Sequence, residues 1–208
     1  MMIVKQDLFR PLDNNCYLIA DEKTNQSALV DCSVWDDKMK ALIGDTDLKY
    51  ILLTHGNFDH IGGVKAVKER YGAKVVISKE DEGMLSSGKL SLAAFTGNEQ
   101  NDTAADITVS DGDSIMLADI EIKVLSTPGH TKGSVCYLAE DCLFSGDTLF
   151  CESCGRTDFP GGSGVEMLRS LKRLAALEGD YRVFAGHDEN STLEHERKFN
   201  PYMKMRAE

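Results

Sequence analysis

Basic residues are scarce: 23 lysines and arginines face 34 aspartates and glutamates, for a formal charge of −11. A chain this acidic repels phosphate backbones, so no nucleic-acid partner is expected. Long apolar runs are missing as well. None approaches the ~18 residues needed to cross a bilayer, so no membrane partner is expected either. The opening MMIVKQDLFRP has no basic segment followed by an apolar stretch, and no secretory signal is read there. Without an export signal, the six cysteines are expected as reduced thiols and the chain as cytoplasmic. Proline is rare, at four residues, and neither a linker nor a repeat interrupts the sequence. One domain spanning residues 1–208 is therefore expected.

What is present falls into short alternating segments. NCYLIAD (15–21) and SALVDC (27–32) read as strands, rich in Val, Ile, Leu and Tyr and bounded by polar turns. DDKMKALIG (36–44) reads as a helix opened by Asp and closed by Gly. KYILLT (49–54) is a buried strand, VKAVKERYG (64–72) an amphipathic helix ending on glycine, and AKVVIS (73–78) a further strand. Residues 86–106 are polar and weakly periodic, a long loop with at most a short helix and a candidate lid. ADITV, DSIML, IEIKVLS, GSVCYLA and CLFSGD then read as strands without helices between them. A helix returns over 164–179, followed by the strand YRVFAGH and a last helix near STLEHERKF. This order fits an α/β fold of the αββα type, two mixed β-sheets flanked by helices, better than a doubly wound sheet.

Histidine is scarce too, at five residues, and its placement is informative. His55, His60, His130 and His187 each follow a strand-like run through a turn, in THGNFDH, STPGHT and FAGH. FSGDT puts Asp147 in the same kind of place. Side chains carried at strand ends and converging on one rim are what a preformed metal site needs. In an extended turn, positions 55 and 57 point to one side, and the bend into a helix at Ile61 turns 59 and 60 elsewhere. One pair can serve one ion and the second pair another, and a lone carboxylate such as Asp147 can bridge two cations ~3.5–4 Å apart. Imidazole with carboxylate suits zinc, iron or manganese, zinc being the common choice for hydrolysis.

These segments, together with GRTDFPGG, NCYLI and ERKFNP, resemble the metallo-β-lactamase superfamily in order and along most of the chain. Within it they are most similar to the short glyoxalase II-like (hydroxyacylglutathione hydrolase-like) enzymes, whose loops read much like SCGRTDFPGG. The resemblance implies the αββα fold and one or two zinc ions, with iron or manganese as substitutes. It implies a metal-bound hydroxide that attacks a small-molecule acyl thioester. It also implies a first ion on His55, His130 and the position of Asn57, and a second on Asp59, His60 and His187. Asp147 would lie between them, and Asp59 would orient the hydroxide. The departure is Asn57, where the family has histidine. An amide oxygen is a weaker, neutral ligand, and losing even a supporting partner costs ~10–100-fold in affinity or activity. The expectation is a filled second site and a weakened first one.

Arg156 in GRTDFPGG and Lys132 beside His130 are candidates for an anionic substrate group, although Arg156 is read first as a pin for its own loop through backbone carbonyls. Cys151 and Cys154 are read as reduced thiols beside the site, since a zinc pair needs two further ligands nearby. His195 is read as an exposed helix residue. Glyoxalase II carries an additional C-terminal helical region that helps hold glutathione, and residues 188–208 leave no room for one. A different thiol carrier, or a loosely held glutathione, is therefore expected. Two alternatives stand beside the thioester reading. One is an iron-dependent oxidoreductase of the persulfide dioxygenase kind, whose single iron would use the site that Asn57 weakens. The other is a catalytically impaired metal-binding module, against which the intact remaining ligand positions speak.

Overall fold

The computed structural model describes residues 1–10, 12–97, 100 and 102–205. Strands β1 (Met2–Phe9), β2 (Asn14–Asp21), β3 (Gln26–Val30), β4 (Asp47–Leu52), β5 (Lys74–Ser78) and β6 (Ile107–Val109) form one sheet in chain order. Its β1–β2 and β2–β3 pairs are antiparallel, and the pairs from β3 to β6 are parallel. The second sheet holds β7 (Ser114–Leu117), β8 (Ile120–Ser126), β9 (Val135–Ala139), β10 (Cys142–Gly146), β13 (Arg182–Ala185) and β14 (Ser191–Thr192). Its order is β14-β13-β10-β9-β8-β7, with only the β10–β13 pair parallel. Between them in sequence, β11 (Leu149–Phe150) and β12 (Ser153–Cys154) make a small hairpin.

The parallel pairs require crossovers, and helices supply them. Helix α1 (Asp37–Ile43) joins β3 to β4, and α2 (Phe58–Ile61) and α3 (Val64–Tyr71) join β4 to β5. Asp36 caps α1 by accepting from the Met39 amide, and α3 ends on Gly72 in the left-handed region at φ 69°. After the short α4 (Ala93–Thr96), helix α5 (Gly164–Ala175) crosses from the β11–β12 hairpin to β13, capped by Ser163. Helices α6 (Leu193–Phe199) and α7 (Pro201–Lys204) follow.

Alternation along the strands sorts the core into three layers. On β2, Cys16 and Leu18 face α1 and α3 with Met39, Ile43, Val64 and Val67, while Tyr17 and Ile19 face the other sheet. There they meet Val124, Tyr137, Phe144 and Phe184, with Tyr17 edge-on to both phenylalanine rings. The outer face of the second sheet packs Cys136, Leu143 and Val183 on Met167, Leu171 and Leu174 of α5. The result is helix–sheet–sheet–helix, the αββα arrangement that the element order favours.

Several boundaries differ from the sequence expectation. The first strand, β1, was hidden in a stretch with little alternation. The helix expected over 164–179 stops at Ala175, because Arg197 from α6 takes the carbonyls of Ala175, Leu177 and Gly179. The last helix begins at Leu193, since Ser191 and Thr192 pair with β13 instead. No helix among the described residues is long and apolar enough to cross a membrane.

Candidate metal centre

Four strands deliver their carboxyl ends to one edge of the sandwich. His55 follows β4, His130 follows β8, Asp147 follows β10 and His187 follows β13. The turn after β4 starts α2, with Asn57 at its N-cap position and Asp59 and His60 on the helix itself. Gly186 must be glycine here: a Cβ would lie 2.4 Å from Asp147 Oδ1 and 3.0 Å from the His60 ring. The backbone before His187 thus closes on Asp147 only because that position has no side chain.

Each imidazole gives its Nδ1–H to an acceptor of the protein and turns Nε2 inward. His60 Nδ1 lies 2.9 Å from Asp31 Oδ2, His130 Nδ1 2.8 Å from the Arg156 carbonyl and His187 Nδ1 3.1 Å from the Leu12 carbonyl. Thr54 donates its hydroxyl to Asp31 at 2.8 Å, so it accepts from His55 Nδ1 at 3.1 Å. Anchoring one ring nitrogen in this way is how metal-binding histidines are oriented. The inward atoms converge on Asp147. His60 Nε2 is 3.4 Å from its Oδ1, and His130 and His187 Nε2 are each 3.6 Å from its Oδ2. Among the described residues, two buried polar atoms, His55 Nε2 and Asp147 Oδ1, have no hydrogen-bond partner. Buried groups are seldom left so, and both lie where a shared cation would satisfy them. Nitrogen and carboxylate donors suit zinc, iron or manganese.

The donors form two compact groups: His55 with His60 and Asp147, and Asp59 with His60 and His187, each within 4.8 Å. The separation of 55 and 57 from 59 and 60 is therefore incomplete, because the His55 and His60 rings lie 4.2 Å apart, tilted by 51°. His130 stands at the side, its ring 4.8 Å from His55. Its Nε2 accepts from the Asn57 amide at 2.8 Å. In the second group Asn14 Nδ2 donates to Asp59 Oδ2 at 3.1 Å and lies 3.1 Å from His60 Nε2 and 3.4 Å from His187 Nε2.

The electrostatics favour a cation. Burial works against a charged His60, yet the carboxylates of Asp147, Asp59 and Asp31 outweigh it and lift the imidazole to about 10. His187 is raised against burial by its contacts with Asp59 and Asp147. Burial would also raise Asp59, but His60, His187 and the Asn14 amide hold it well below the usual carboxylate range. His55 goes the other way: burial, then the neighbouring His60 and His130, keep it far below an ordinary histidine. Three acids around one buried imidazole concentrate negative charge, and a proton or a metal ion can neutralise it at the same nitrogen.

Three supporting residues escaped the sequence reading. Asp31, left-handed at φ 58° at the end of β3, holds His60 directly and His55 through Thr54. Its signal is a lone acid closing the apolar run SALV. Asn14 sits beside the recognised NCYLI segment. Asp81 accepts from Gly56 N, Gly133 N and Thr131 Oγ1, which ties the His55 loop to the His130 loop. Nothing in its own neighbourhood marks it.

The remaining candidates fare differently. Arg156 lines the cavity over the centre, but its guanidinium is paired at 2.7 Å twice with Asp158 and lies 3.8 Å from the Phe159 ring. Its pin is a carboxylate rather than backbone carbonyls. Lys132 is exposed and does not line that cavity. All six cysteines are unpaired thiols. Cys151, His195 and Glu196 do approach one another, but Glu196 already accepts from Glu152 N, Ser191 and Asn200, and His195 faces Glu152 at 3.0 Å. His195 is half-exposed on α6 and lies tilted against the Phe199 ring, 4.7 Å away. The cavity over the centre measures about 760 Å³, and its walls include Leu12, Phe58, Phe95, Phe150, Phe159 and Pro160. Leu92, Phe95 and Thr96 bring the 86–106 segment to its rim, and Phe58 N bonds Ser91 O at 2.9 Å.

Comparison with known proteins agrees with this geometry. The sequence profile of the metallo-beta-lactamase superfamily matches residues 9–187. Hydroxyacylglutathione hydrolase GloC of Haemophilus influenzae is 30% identical over 200 residues, covering 93% of this chain and 94% of its own. Among solved structures, the B3 metallo-beta-lactamase BLEG-1 superposes with a TM-score of 0.92 at 29% identity, over 98% of this chain and 100% of its own. TTHA1623, solved in a di-iron-bound form, superposes with a TM-score of 0.84 at 30% identity, over 96% and 100%.

Proposed function

The chain belongs to the metallo-beta-lactamase superfamily, and from that premise we propose that it is a metal-dependent hydrolase of small acyl thioesters. The four anchored imidazoles around a buried carboxylate carry the metal part of this reading. The thioester part is supported by the likeness to a hydroxyacylglutathione hydrolase along nearly the whole chain. Asp59, His60, His187 and Asp147 would hold one ion, and His55, His130 and Asp147 a second. A divalent ion in such a place supplies Lewis acidity toward a carbonyl oxygen and toward water.

The chain's own groups do the positioning. Asp59 stays ionised, held by His60, His187 and Asn14, and orients the nucleophile at the mouth of the cavity. Asp31 fixes one imidazole of each group, so the two groups keep their relative geometry. Asn57 lends His130 Nε2 a hydrogen instead of a lone pair for a shared ion. The group of Asp59, His60 and His187 therefore binds first and binds tighter, and zinc is the ion proposed for it. Iron is the competing ion, given the di-iron-bound relative.

The test is elemental analysis of the protein as purified, followed by turnover of a hydroxyacyl thioester. About one equivalent of zinc is expected, with hydrolysis detectable, because the first site lacks a ligand worth at least ~10–100-fold. Iron with oxygen consumption and no hydrolysis would replace this reading with the oxidoreductase one. Bound metal with neither activity would leave a binding module.

A further inference from the structure

The cavity above the metal centre is walled by carbon. Leu12 comes from the β1–β2 connection, Leu92 and Phe95 from the α4 segment, and Phe159 and Pro160 from the loop before α5. These segments lie far apart in sequence, yet all turn apolar side chains onto the opening beside Asn57, His130, Asp147 and His187. Phe95 is 69% exposed and Leu12 47%. A large aromatic ring left in water at the rim of a site is an apolar contact without its partner. The one arginine or lysine among the described lining residues, Arg156, has its charge matched by Asp158 and its face covered by Phe159. A carboxylate entering here meets no unpaired guanidinium or ammonium among the described lining residues. Charge lies on the other side of Leu12 and Phe58, where a second cavity of about 990 Å³ carries Arg10, Lys65 and Glu69 beside Trp35. The two cavities share Leu12, Phe58, Asp59 and Thr96.

We propose that the acyl group taken by this centre is apolar, a medium-length alkanoyl or arylalkanoyl chain seated between Leu12, Leu92, Phe95, Phe159 and Pro160, rather than a short hydroxyacyl group. The assignment rests on the thioester reading and sharpens it. A volume of about 760 Å³ lies within the range of ligand pockets, ~300–1,000 Å³, and leaves room for a chain well beyond acetyl. The hydrolysis itself is balanced by water alone: the thioester C–S bond breaks, a C–O bond forms, and the thiol leaves with one of the water protons.

The experiment is a chain-length series on one small uncharged thiol: the acetyl, butanoyl, hexanoyl and octanoyl thioesters of N-acetylcysteamine, with the metal-loaded protein. Each methylene that becomes buried is worth about fourfold, so kcat/KM should climb at least ~50-fold from acetyl to octanoyl. Phe95→Ser should flatten that climb, and because the ring is exposed the variant keeps its fold. A flat or falling series, with thioesters still hydrolysed, overturns the apolar assignment and leaves the thioester reading standing. If no thioester is hydrolysed, that reading fails, and calorimetry with uncleavable S-octyl and S-methyl thioethers of the same thiol decides the assignment separately. Octyl binding at least ~10-fold tighter supports an apolar chamber for another substrate chemistry; equal binding overturns it.

Discussion

The two ion sites proposed around Asp147 differ in the charge of their imidazoles. On the His55 side the imidazole is buried against other imidazoles and stays neutral, its Nε2 without a partner. On the Asp59 side, His60 and His187 are drawn toward the protonated form by carboxylates that outnumber them locally. The first group lacks a counter-charge of its own, and its third position is an amide that already bonds His130. The second has Asp59 and reaches Asp31 through His60. Two sites built on one scaffold, a few ångströms apart, therefore differ less in shape than in stored negative charge. On the proposed reading, charge more than the count of nitrogens sets which of them attracts a divalent ion.

The severest way to break this contrast is to remove what the groups share. Asp147→Ala takes a carboxylate from both, so metal content should fall toward zero and thioester turnover by at least ~100-fold, the upper end of what a mere supporting partner is worth. Elemental analysis and turnover at saturating zinc measure it; substantial residual activity would defeat the shared-carboxylate arrangement. A milder intervention sharpens the contrast. Asn57→His should restore a nitrogen to the first group, raising bound metal from about one equivalent to about two and turnover by ~10–100-fold. Asn57 lines the cavity, so the larger ring would extend toward it. If a second equivalent binds and hydrolysis does not change, the first group takes no part in catalysis.

The inward-facing donors were legible in the sequence because their signal is local. A strand, a tight turn and a histidine occur within six residues each time, as in STPGH and FAGH, and the sheet brings those turns to one edge. The caps of α1 and α3 were legible for the same reason, with Asp36, Gly44 and Gly72 marking their ends. What supports the donors was not legible, because it is assembled across the chain. Asp81 is defined by Thr131, fifty positions on, and Asp31 by Thr54 and His60. The early stop of α5 depends on Arg197 from another helix. Arg156 was half legible: its loop was marked, while its partner Asp158 and the stacking on Phe159 appear only once the loop is folded.

The finest test of the contrast is pH. His60 sits at about 10 in the folded protein against an ordinary 6.5. Its contribution to stability is complete below pH 6.5 and disappears as the pH rises through 10. His55 is depressed instead, so its contribution is present above 6.5 and disappears as the pH falls below that value. Chelator-treated protein should therefore melt highest near neutrality, losing stability on the acid side through the first group and on the alkaline side through the second. Metal should act on the alkaline limb, because an ion at His60 must displace the proton held there. At pH 8, calorimetry in buffers of different ionisation enthalpy should find about one proton released with the first equivalent of zinc. In Asn57→His, the second equivalent should release fewer, since His55 has already lost its proton. Equal release from both equivalents would mean that the two groups share one charge state, and the preference for the Asp59 side would then need another cause.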